Sequence, residues 1–318
     1  MTVAVADLYA EHRHFLWSLC YRMLGSAADA EDVVHDTFVR AIERPPRRTE
    51  APLRPWLVKV ALNRARDVLR SRRRRDYVGP WLPSPIDTGD ESSPPSHEPG
   101  TAGDEDRSPY GAHTHVPASY DLLESVSFAF LLALEALSPT QRAVLLLRDV
   151  FDYSVKETAD ALDLSDANVK TTHHRARRAM HTYDGARQVP RPSVQQAARA
   201  ALTQFLRCLE EHDVSGIEAL LADDVRTTTD GGGEFQSALR TIVGRDKVMR
   251  FYFAIAENAW DVEARMQFLN GMPAMVIDMR APKDRLAPRF TIAVDLDRAG
   301  RISHIYVVSA TRKLSAIC

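Results

Sequence analysis

Three carboxylates stand close together in one short segment of the chain. Asp32 and Asp36 are four residues apart, and Glu31 precedes them directly. Residues four apart on a helix lie one above the other, so these side chains form an acidic patch on one helix face. Such a patch can dock on a basic partner surface, although the same pattern also fits an ordinary solvated helix face.

The segment that follows carries the opposite charge. Residues 47 to 75 contain eleven Arg or Lys against two acids, a net charge of +9, whereas the whole chain carries only -2. A concentrated positive charge neutralises phosphates, so this segment predicts a nucleic-acid surface. Its end, residues 70 to 75, taken alone could equally be a solvated helix terminus. The predicted outward face of the helix contains Lys59, Asn63, Arg66 and Arg70.

A third set of polar side chains lies on a basic helix further along the chain. Ser154 and Ser165 occur where N-caps are expected, and they bracket a short helix to Leu162, a turn at 163–165 and a longer helix to about Met180. This arrangement predicts a helix-turn-helix unit. Six residues of the second helix carry amides, hydroxyls, imidazole or cations that can contact base edges and phosphates: Asn168, Lys170, Thr171, His174, Arg175 and Arg178.

Periodic apolar positions predict the elements that position these groups. Residues 7–75 are predicted to be helical, with Ala30, Val33, Val34, Phe38, Ala41 and Ile42 buried on one helix and Leu57, Val60, Ala61, Val68 and Leu69 on the next. Trp56 fits the core better than a base contact, and a ring that stacks on a base beside the basic segment is the open alternative. Residues 195–314 change character: helices come first, then strands at Val262–Leu269, Ala274–Met279, Phe290–Leu296 and Ile302–Val308. We expect an α+β domain with an antiparallel sheet.

Between the helical parts lies a segment of unusual composition. Ser84 to Ala118 contains seven acids against Arg107 alone, with six prolines and four glycines, which predicts a disordered acidic linker. The preceding heptapeptide Tyr77–Pro83 is aromatic and proline-rich, and we expect it to dock on another surface. The chain has no apolar run of the roughly 18 residues that span a bilayer, so we expect a cytoplasmic protein without membrane contact. The three cysteines are far apart, and no metal or cofactor is predicted.

Two separated segments carry a family resemblance. The run Tyr21–Arg40 resembles region 2 of extracytoplasmic-function RNA polymerase sigma factors, and the run from Leu137 to Arg177 resembles their region 4. Tyr77–Pro83, Asp230–Gly233 and Asn270–Ala274 resemble signatures of the J-type subgroup, which bears a SnoaL-like domain. The resemblance implies a multidomain protein: two all-α sigma domains and a C-terminal α+β SnoaL-like cone, similar to nuclear-transport-factor folds. The implied segments are 1–76 (region 2), 77–119 (docking motif and linker), 120–187 (region 4) and 193–314 (regulatory domain).

The resemblance also implies partners and roles. Glu31, Asp32 and Asp36 would bind core RNA polymerase at the clamp helices of the largest subunit, and the second-largest subunit would be a further partner. The melted -10 element would meet Lys59, Asn63, Arg64, Arg66, Arg70 and Arg74, and the double-stranded -35 element would meet the six residues of the basic helix. The fused domain would modulate activity in place of a separate anti-sigma protein. Its expected regulatory residues are Tyr77, Pro80, Trp81, Leu82, Pro83, Asp230, Gly231, Gly232, Gly233, Asn270 and Gly271.

Departures from the family pattern leave alternatives open. The C-terminal Ser309–Leu314 keeps only Lys313 and Leu314 of an expected Asn-Pro-Asp-Lys-Leu motif, so no tail contact is assigned. Asp230 and the glycines can instead simply end a strand. A one-component regulator with an effector domain is one rival function. A SnoaL-like enzyme is another, but the pocket candidates form no catalytic constellation, and no enzyme activity is expected. Those candidates, for a small ligand or simply for the core, are Tyr252, Asp278, His304 and Tyr306.

Overall fold

A computed structural model describes residues 2–44, 53–72, 77–89, 120–256, 261–282 and 285–317. The chain forms two compact units. The first contains residues 1–75 and 94–187, and the second contains residues 76–93 and 188–318. Each unit therefore combines segments that are distant in sequence.

Three helices form the first half of the first unit. They are α1 (Thr2–Leu24), α2 (Ala27–Glu43) and α3 (Leu53–Arg72). Ser26 caps α2, because its hydroxyl accepts a hydrogen bond from the Asp29 amide at 3.2 Å. The predicted apolar face of α2 is confirmed from Ala30 to Phe38, but Ile42 is 53% exposed because the packed surface ends before the last turn. On α3 the fully buried positions include Val58 and Leu62, whereas Val60 and Val68 are only partly buried.

Four more helices lie in the described part of this unit. They are α4 (Phe128–Ala133), α5 (Pro139–Asp149), α6 (Val155–Leu162) and α7 (Asp166–Ala186), with 3-10 turns at Glu124–Val126 and Leu134–Ala136. Ser154 and Glu157 form a complete capping box on α6. The turn after α6 needs a left-handed residue, and Asp163 supplies it with a φ of 54°. The helix-turn-helix prediction is confirmed.

The second unit is an α+β domain. Its helices are α8 (Pro192–Glu210), α9 (Val214–Leu220) and α10 (Arg245–Ala256). Six strands form one sheet in the order β2-β1-β6-β5-β4-β3. Their bounds are Leu221–Asp230 for β1, Ile242–Val243 for β2, Val262–Leu269 for β3, Met272–Met279 for β4, Arg289–Leu296 for β5 and Ile302–Val308 for β6.

The sheet is mixed rather than antiparallel throughout, which corrects the sequence prediction. A strand that ends at Asp230 was one of the open alternatives, without bounds; the structure shows it as β1, which runs parallel to β6 with Asp230 opposite Val308. Its sequence LADDVRTTTD is polar, and it is buried because other parts of the domain cover it. The helices pack against this sheet through a core that includes Phe205, Tyr252 and Ile305.

Residues 77–89 belong to this second unit. The predicted linker does not include Ser84–Gly89, because Ser84 is fully buried, Ile86 is 5% exposed and Asp87 forms a bridge with Leu269. The rest of the predicted linker, residues 90–118, lies outside the described residues. Across the described ranges, no helix has the length and apolar character needed to cross a bilayer.

Candidate nucleic-acid interface and regulatory site

The basic helix α7 presents its predicted contact residues to solvent. Asn168, Lys170 and Thr171 are exposed, and so are His174, Arg175 and Arg178. On the opposite side, Val169, Ala176 and Met180 are completely buried. Ser165 caps the helix by accepting from the Asn168 amide at 3.3 Å. One face of α7 is therefore held by the core, while the other is exposed to solvent.

Polar contacts fix the orientation of α7 within its unit. His173 Nε2 lies 2.8 Å from the Asp149 carboxylate at the end of α5, and Asp149 is only 5% exposed. Arg177 donates to the hydroxyl of Tyr120 at 2.9 Å, and Tyr120 donates to Asp184 at 2.7 Å. Burial, reinforced by the hydrogen bond to Asp184, raises the pKa of the Tyr120 phenol well above its usual value. These contacts attach the helix to α5 and to the residues that precede α4.

The predicted DNA-facing residues of α3 differ in their surroundings. Asn63, Arg64 and Arg70 are exposed. Lys59 forms an ion pair with Asp163 at 2.6 Å, and Arg66 donates to the Thr140 hydroxyl at 3.1 Å. Asp163 lies in the turn of the helix-turn-helix, and Thr140 lies in the first turn of α5. Arg74, which was predicted to contact DNA, lies outside the described residues.

The acidic patch of α2 and the basic face of α3 meet directly. The sequence suggested two separate faces, but Arg64 Nε lies 2.9 Å from the Asp36 carboxylate. Glu31 likewise pairs with Arg13 of α1 at 3.0 Å. Each partner of these pairs is about half exposed, so each pair contributes well under about 1 kcal/mol and exchanges readily for another partner. Asp32 and Asp36 remain exposed on α2.

A groove of about 650 Å³ lies between α2 and α3. Trp56 is partly buried and lines this groove, although the sequence prediction favoured the core for it. The groove also contains Asn63 and Arg64 from α3 and Val39 from α2. An aromatic ring beside an amide and cations can hold an unstacked base.

Asp230 is the centre of a buried polar cluster in the second unit. Its carboxylate accepts from the Tyr77 hydroxyl at 2.6 Å and from the Leu82 amide at 2.7 Å. Lys313 Nζ lies 2.5 Å from the same carboxylate and also donates to the Leu82 carbonyl. The ammonium group stands 4.6 Å from the centre of the Trp81 ring. We call these five residues the docking cluster.

The other end of the docked segment is held by the β3–β4 hairpin. Asn270 accepts from the Ile86 amide through its side chain at 3.0 Å and donates its own amide to the Ile86 carbonyl at 2.9 Å. The Gly271 amide donates to the Thr88 hydroxyl at 3.0 Å. The motifs around residues 77, 230 and 270 are thus joined by one segment, residues 77–89. Pro80 and Pro83 lie in that segment, and Gly231 follows Asp230 directly.

Two glycines beside Asp230 allow a close approach. Gly232 has a φ of 60°, and a Cβ there would lie 2.9 Å from the Cβ of Ala310. Gly233 has a φ of 78°, and a Cβ there would lie 3.2 Å from Val78. A larger residue would meet both backbone strain and a clash, so the glycines permit docking.

The candidate pocket residues of the second unit are engaged by neighbours. The Tyr252 hydroxyl lies 2.7 Å from Thr227, and Asp278 accepts from Arg265 and Arg289. These arginines, with the hydrogen bond from Arg289 as the main cause, lower the pKa of Asp278. His304 lies 2.9 Å from Thr228, and its burial lowers its pKa to about 4. Tyr306 donates to Asp295 at 2.7 Å.

Lys313 is the residue that the sequence prediction missed. Only Lys313 and Leu314 match the family's tail motif, and on that basis no contact was assigned. The structure shows both buried, with Lys313 paired to Asp230 in the docking cluster. The available signal was the match of Lys313 and Leu314 to the family's tail motif. A lysine that is buried in a folded protein needs a partner of opposite charge.

The first unit, in which a helix-turn-helix packs with an acidic and a basic helix, belongs to a class of protein that its similarity to known families identifies, the sigma-70 type of transcription initiation factor. The family models agree: residues 8–75 match "Sigma-70 region 2" and residues 127–180 match "Sigma-70, region 4". The region-2 match disfavours the rival of a one-component regulator.

Whole-chain comparisons narrow the class. The chain is 31% identical over 255 residues to the ECF RNA polymerase sigma factor SigJ of Mycobacterium tuberculosis, covering 80% of this chain and 73% of that protein. It is 31% identical over 303 residues to SigG of the same organism, covering 92% and 78%. The crystal structure of Mycobacterium tuberculosis SigJ matches at a TM-score of 0.68 and 24% identity, covering 98% of both chains, which shows the fold. The chain belongs to the ECF RNA polymerase sigma factors, and its function is promoter-specific initiation of transcription.

Proposed function

We propose that three helices have separate roles in initiation. Helix α2 binds core RNA polymerase, α3 and the groove beside it bind the melted -10 element, and α7 contacts the -35 element as duplex. The observation that carries this proposal is the exposure of all six predicted contact residues on α7 while the opposite face of that helix is buried. Basic and amide side chains on a helix held in this way suit the major groove.

The acidic patch of α2 is the proposed polymerase contact. Asp32 and Asp36 are exposed, and the Asp36–Arg64 pair is weak enough to be exchanged for basic residues of the clamp helices in the largest subunit. A further contact with the second-largest subunit is part of the same proposal.

Charge reversal tests this contact. The double variant Asp32→Lys/Asp36→Lys should no longer associate with core polymerase in a pull-down. The matched control, Glu210→Lys/Glu211→Lys, changes the net charge equally at exposed positions of α8 and its end, and it should bind normally. Normal holoenzyme assembly by the first variant would refute the assignment.

The groove between α2 and α3 is the proposed site of strand capture. Trp56 offers a ring for stacking, and Asn63 and Arg64 offer an amide and a cation beside it. One lost base–aromatic stack costs about 1–3 kcal/mol, which corresponds to roughly 5- to 150-fold in promoter opening. Permanganate footprinting on a promoter mapped from overexpression transcripts would measure opening by Trp56→Ala and Asn63→Ala holoenzymes. Arg207→Ala, in the exposed part of α8, is the control. Unchanged opening would reject the groove as the capture site.

We further propose that the second unit regulates the sigma regions in place of a separate anti-sigma protein. Support comes from connectivity: the docked segment 77–89, held by Asp230, lies between the two sigma regions in sequence and begins four residues after the end of α3. Transcription by the full chain and by a truncation after Arg187 would test this. Equal promoter output from both would remove the regulatory role.

The second unit is proposed to act without catalysis. Its candidate acid and base groups are engaged in structural hydrogen bonds, as for Tyr252 with Thr227 and Asp278 with two arginines. A small ligand in this unit stays a prediction, and a thermal-shift screen with apolar ligands would reveal one.

A further inference from the structure

The sheet of the second unit has one long edge strand. Strand β2 at one edge is only two residues long, whereas β3 at the other edge has eight residues. The end of β3 is covered by the docked segment, because the Thr88 amide donates to the Phe268 carbonyl and Asp87 forms a bridge with Leu269. In the described part of the chain, no other backbone hydrogen bonds to the outer edge of residues 262–267. An edge strand left open in this way is a template for another strand.

The docked segment shows which backbone groups of β3 point outward. The Phe268 carbonyl accepts from this segment, and the Asn270 amide donates to it, so these even-numbered residues direct their backbone groups away from β4. Hydrogen-bonding direction alternates from residue to residue along a strand. The N–H and C=O groups of Val262, Ala264 and Met266 therefore point to the open side.

Charged side chains of opposite sign flank the middle of this edge. Glu263 and Arg265 project to the same face of the sheet, since they are two residues apart on one strand. Glu263 is exposed and lies directly opposite Asp278 of β4, whereas Arg265 donates to Asp278. Like charges directly opposite each other destabilise a pair of strands, so a cation that approaches from the open side stabilises Glu263.

A second copy of the same strand supplies this cation. When two β3 strands pair antiparallel about a two-fold axis at Ala264, each Glu263 lies opposite Arg265 of the second copy. Each Val262 then lies opposite Met266 of the second copy. All of the outward-pointing residues become hydrogen-bonded pairs in this register, because the two Ala264 residues also exchange their N–H and C=O bonds with each other. The edge is thus self-complementary, as a two-fold interface requires.

We propose that the second unit binds a second copy of itself through β3, with Ala264 on the two-fold axis. The apolar side chains of the strand fit this arrangement. Val262 and Met266 are only partly buried and pack on the edge of the core, so each covers its counterpart and extends the core across the boundary. Two six-stranded sheets become one continuous sheet. The inference is independent of the DNA and polymerase roles proposed above.

Sedimentation velocity of the full chain over a micromolar concentration series measures the association. We expect a reversible monomer–dimer equilibrium, since two paired edge strands form a small interface. A chain that stays monomeric throughout the series would overturn the proposal.

A charge reversal tests which surface associates. Glu263→Arg puts like charges opposite each other in both pairs, and the dissociation constant of the dimer should rise about tenfold or more. The same change places a cation opposite Asp278, so it does not destabilise the monomer. The control Glu210→Arg makes an equal change of charge at an exposed position of α8 and should leave the dimer intact. Equal dissociation constants for the two variants would show that another surface associates and would overturn the proposal.

Two opposite reversals test the register. Arg265→Glu should also dissociate the dimer, while Arg289 still pairs with Asp278. A mixture of Glu263→Arg and Arg265→Glu chains should associate as a heterodimer, because each pair then joins one cation and one anion. A mixture that stays monomeric would contradict the proposed register.

A cysteine on the axis tests the contact directly. In a Cys318→Ser background, in which Cys20 and Cys208 are buried, Ala264→Cys should form an intermolecular disulfide on mild oxidation. Residue 264 is its own partner, and the Cα–Cα distance of about 5.5 Å in a hydrogen-bonded pair suits a disulfide. Val243→Cys, exposed on the opposite edge strand, is the control and should not cross-link. Equal cross-linking of the two variants would contradict pairing through β3.

Discussion

Replacing Lys313 by methionine should release the docked segment from the second unit. Lys313→Met keeps most of the side-chain volume but removes the cation from Asp230, whose side chain is fully buried. Breaking a buried ion pair by removing one partner costs about 3–5 kcal/mol, because the remaining charge is left without compensation. Tyr77, Leu82 and Gly232 still donate to Asp230, so we expect the lower end, about 3 kcal/mol.

Amide hydrogen exchange measures this effect locally. The amides of Leu82, Ile86 and Thr88 each donate within the second unit, to Asp230, Asn270 and Phe268 respectively. A loss of about 3 kcal/mol corresponds to roughly 150-fold faster exchange at these positions if they exchange by local opening. Arg312→Met, at the exposed neighbouring position, should leave their exchange unchanged.

A double-mutant cycle separates the ion pair from packing. Asp230→Asn/Lys313→Met removes both charges, so it should cost less than the sum of the single variants. Unchanged protection of residues 82–88 in Lys313→Met, or strict additivity in the cycle, would refute the assignment of the pair as the element that holds the segment.

Three further outcomes follow from contacts already described. Arg175→Ala should weaken binding of the holoenzyme to a duplex -35 element by about 1–3 kcal/mol, roughly 5- to 150-fold in a mobility-shift titration. An equal loss of affinity for every DNA sequence would argue against a base contact. Ser154→Ala should destabilise the helix-turn-helix by about 1 kcal/mol, because the capping box is lost. Amide hydrogen exchange in α6 should become faster, and unchanged exchange would show that the cap is dispensable. Burial lowers the pKa of His304 to about 4, so between pH 4 and about 6.5 the unfolded state binds more protons than the folded state. The free energy of unfolding of the second unit should therefore fall by up to about 3 kcal/mol as the pH drops through this window. His304→Gln should flatten this part of a urea-denaturation pH series, and an identical slope would contradict the shift.

Local signals predicted much of this molecule. Ser26, Ser154 and Ser165 begin helices where their sequence context indicated, because capping depends on residues within one turn. The Asn270-Gly271 pair joins β3 and β4 as predicted, since both residues adopt the positive φ that a tight hairpin needs. The family resemblance to sigma factors is confirmed, and so is the α+β class of the second unit.

Long-range pairing was the part that local signals could not supply. β1 has no alternating apolar pattern, and its neighbours in the sheet are distant in the chain, so the sequence offered a strand ending at Asp230 only as an alternative and without bounds. The ion pairs Asp36–Arg64 and Lys59–Asp163 join residues 28 and 104 positions apart. Sequence periodicity assigns a face to each helix separately, but it does not show which faces meet. The roles of the individual site residues stay predictions.

The span of the docking cluster along the chain has a consequence for biosynthesis. Leu82 is made 231 residues before Lys313, its partner through the backbone carbonyl. At about 5–20 residues per second, the segment waits roughly 10–50 s on the ribosome before its lysine exists. During that interval Leu82 and Ile86, later buried, have no completed sheet to cover them. A nascent chain stalled before β6 therefore exposes apolar side chains of residues 77–89, and we expect chaperones to bind such chains at this segment.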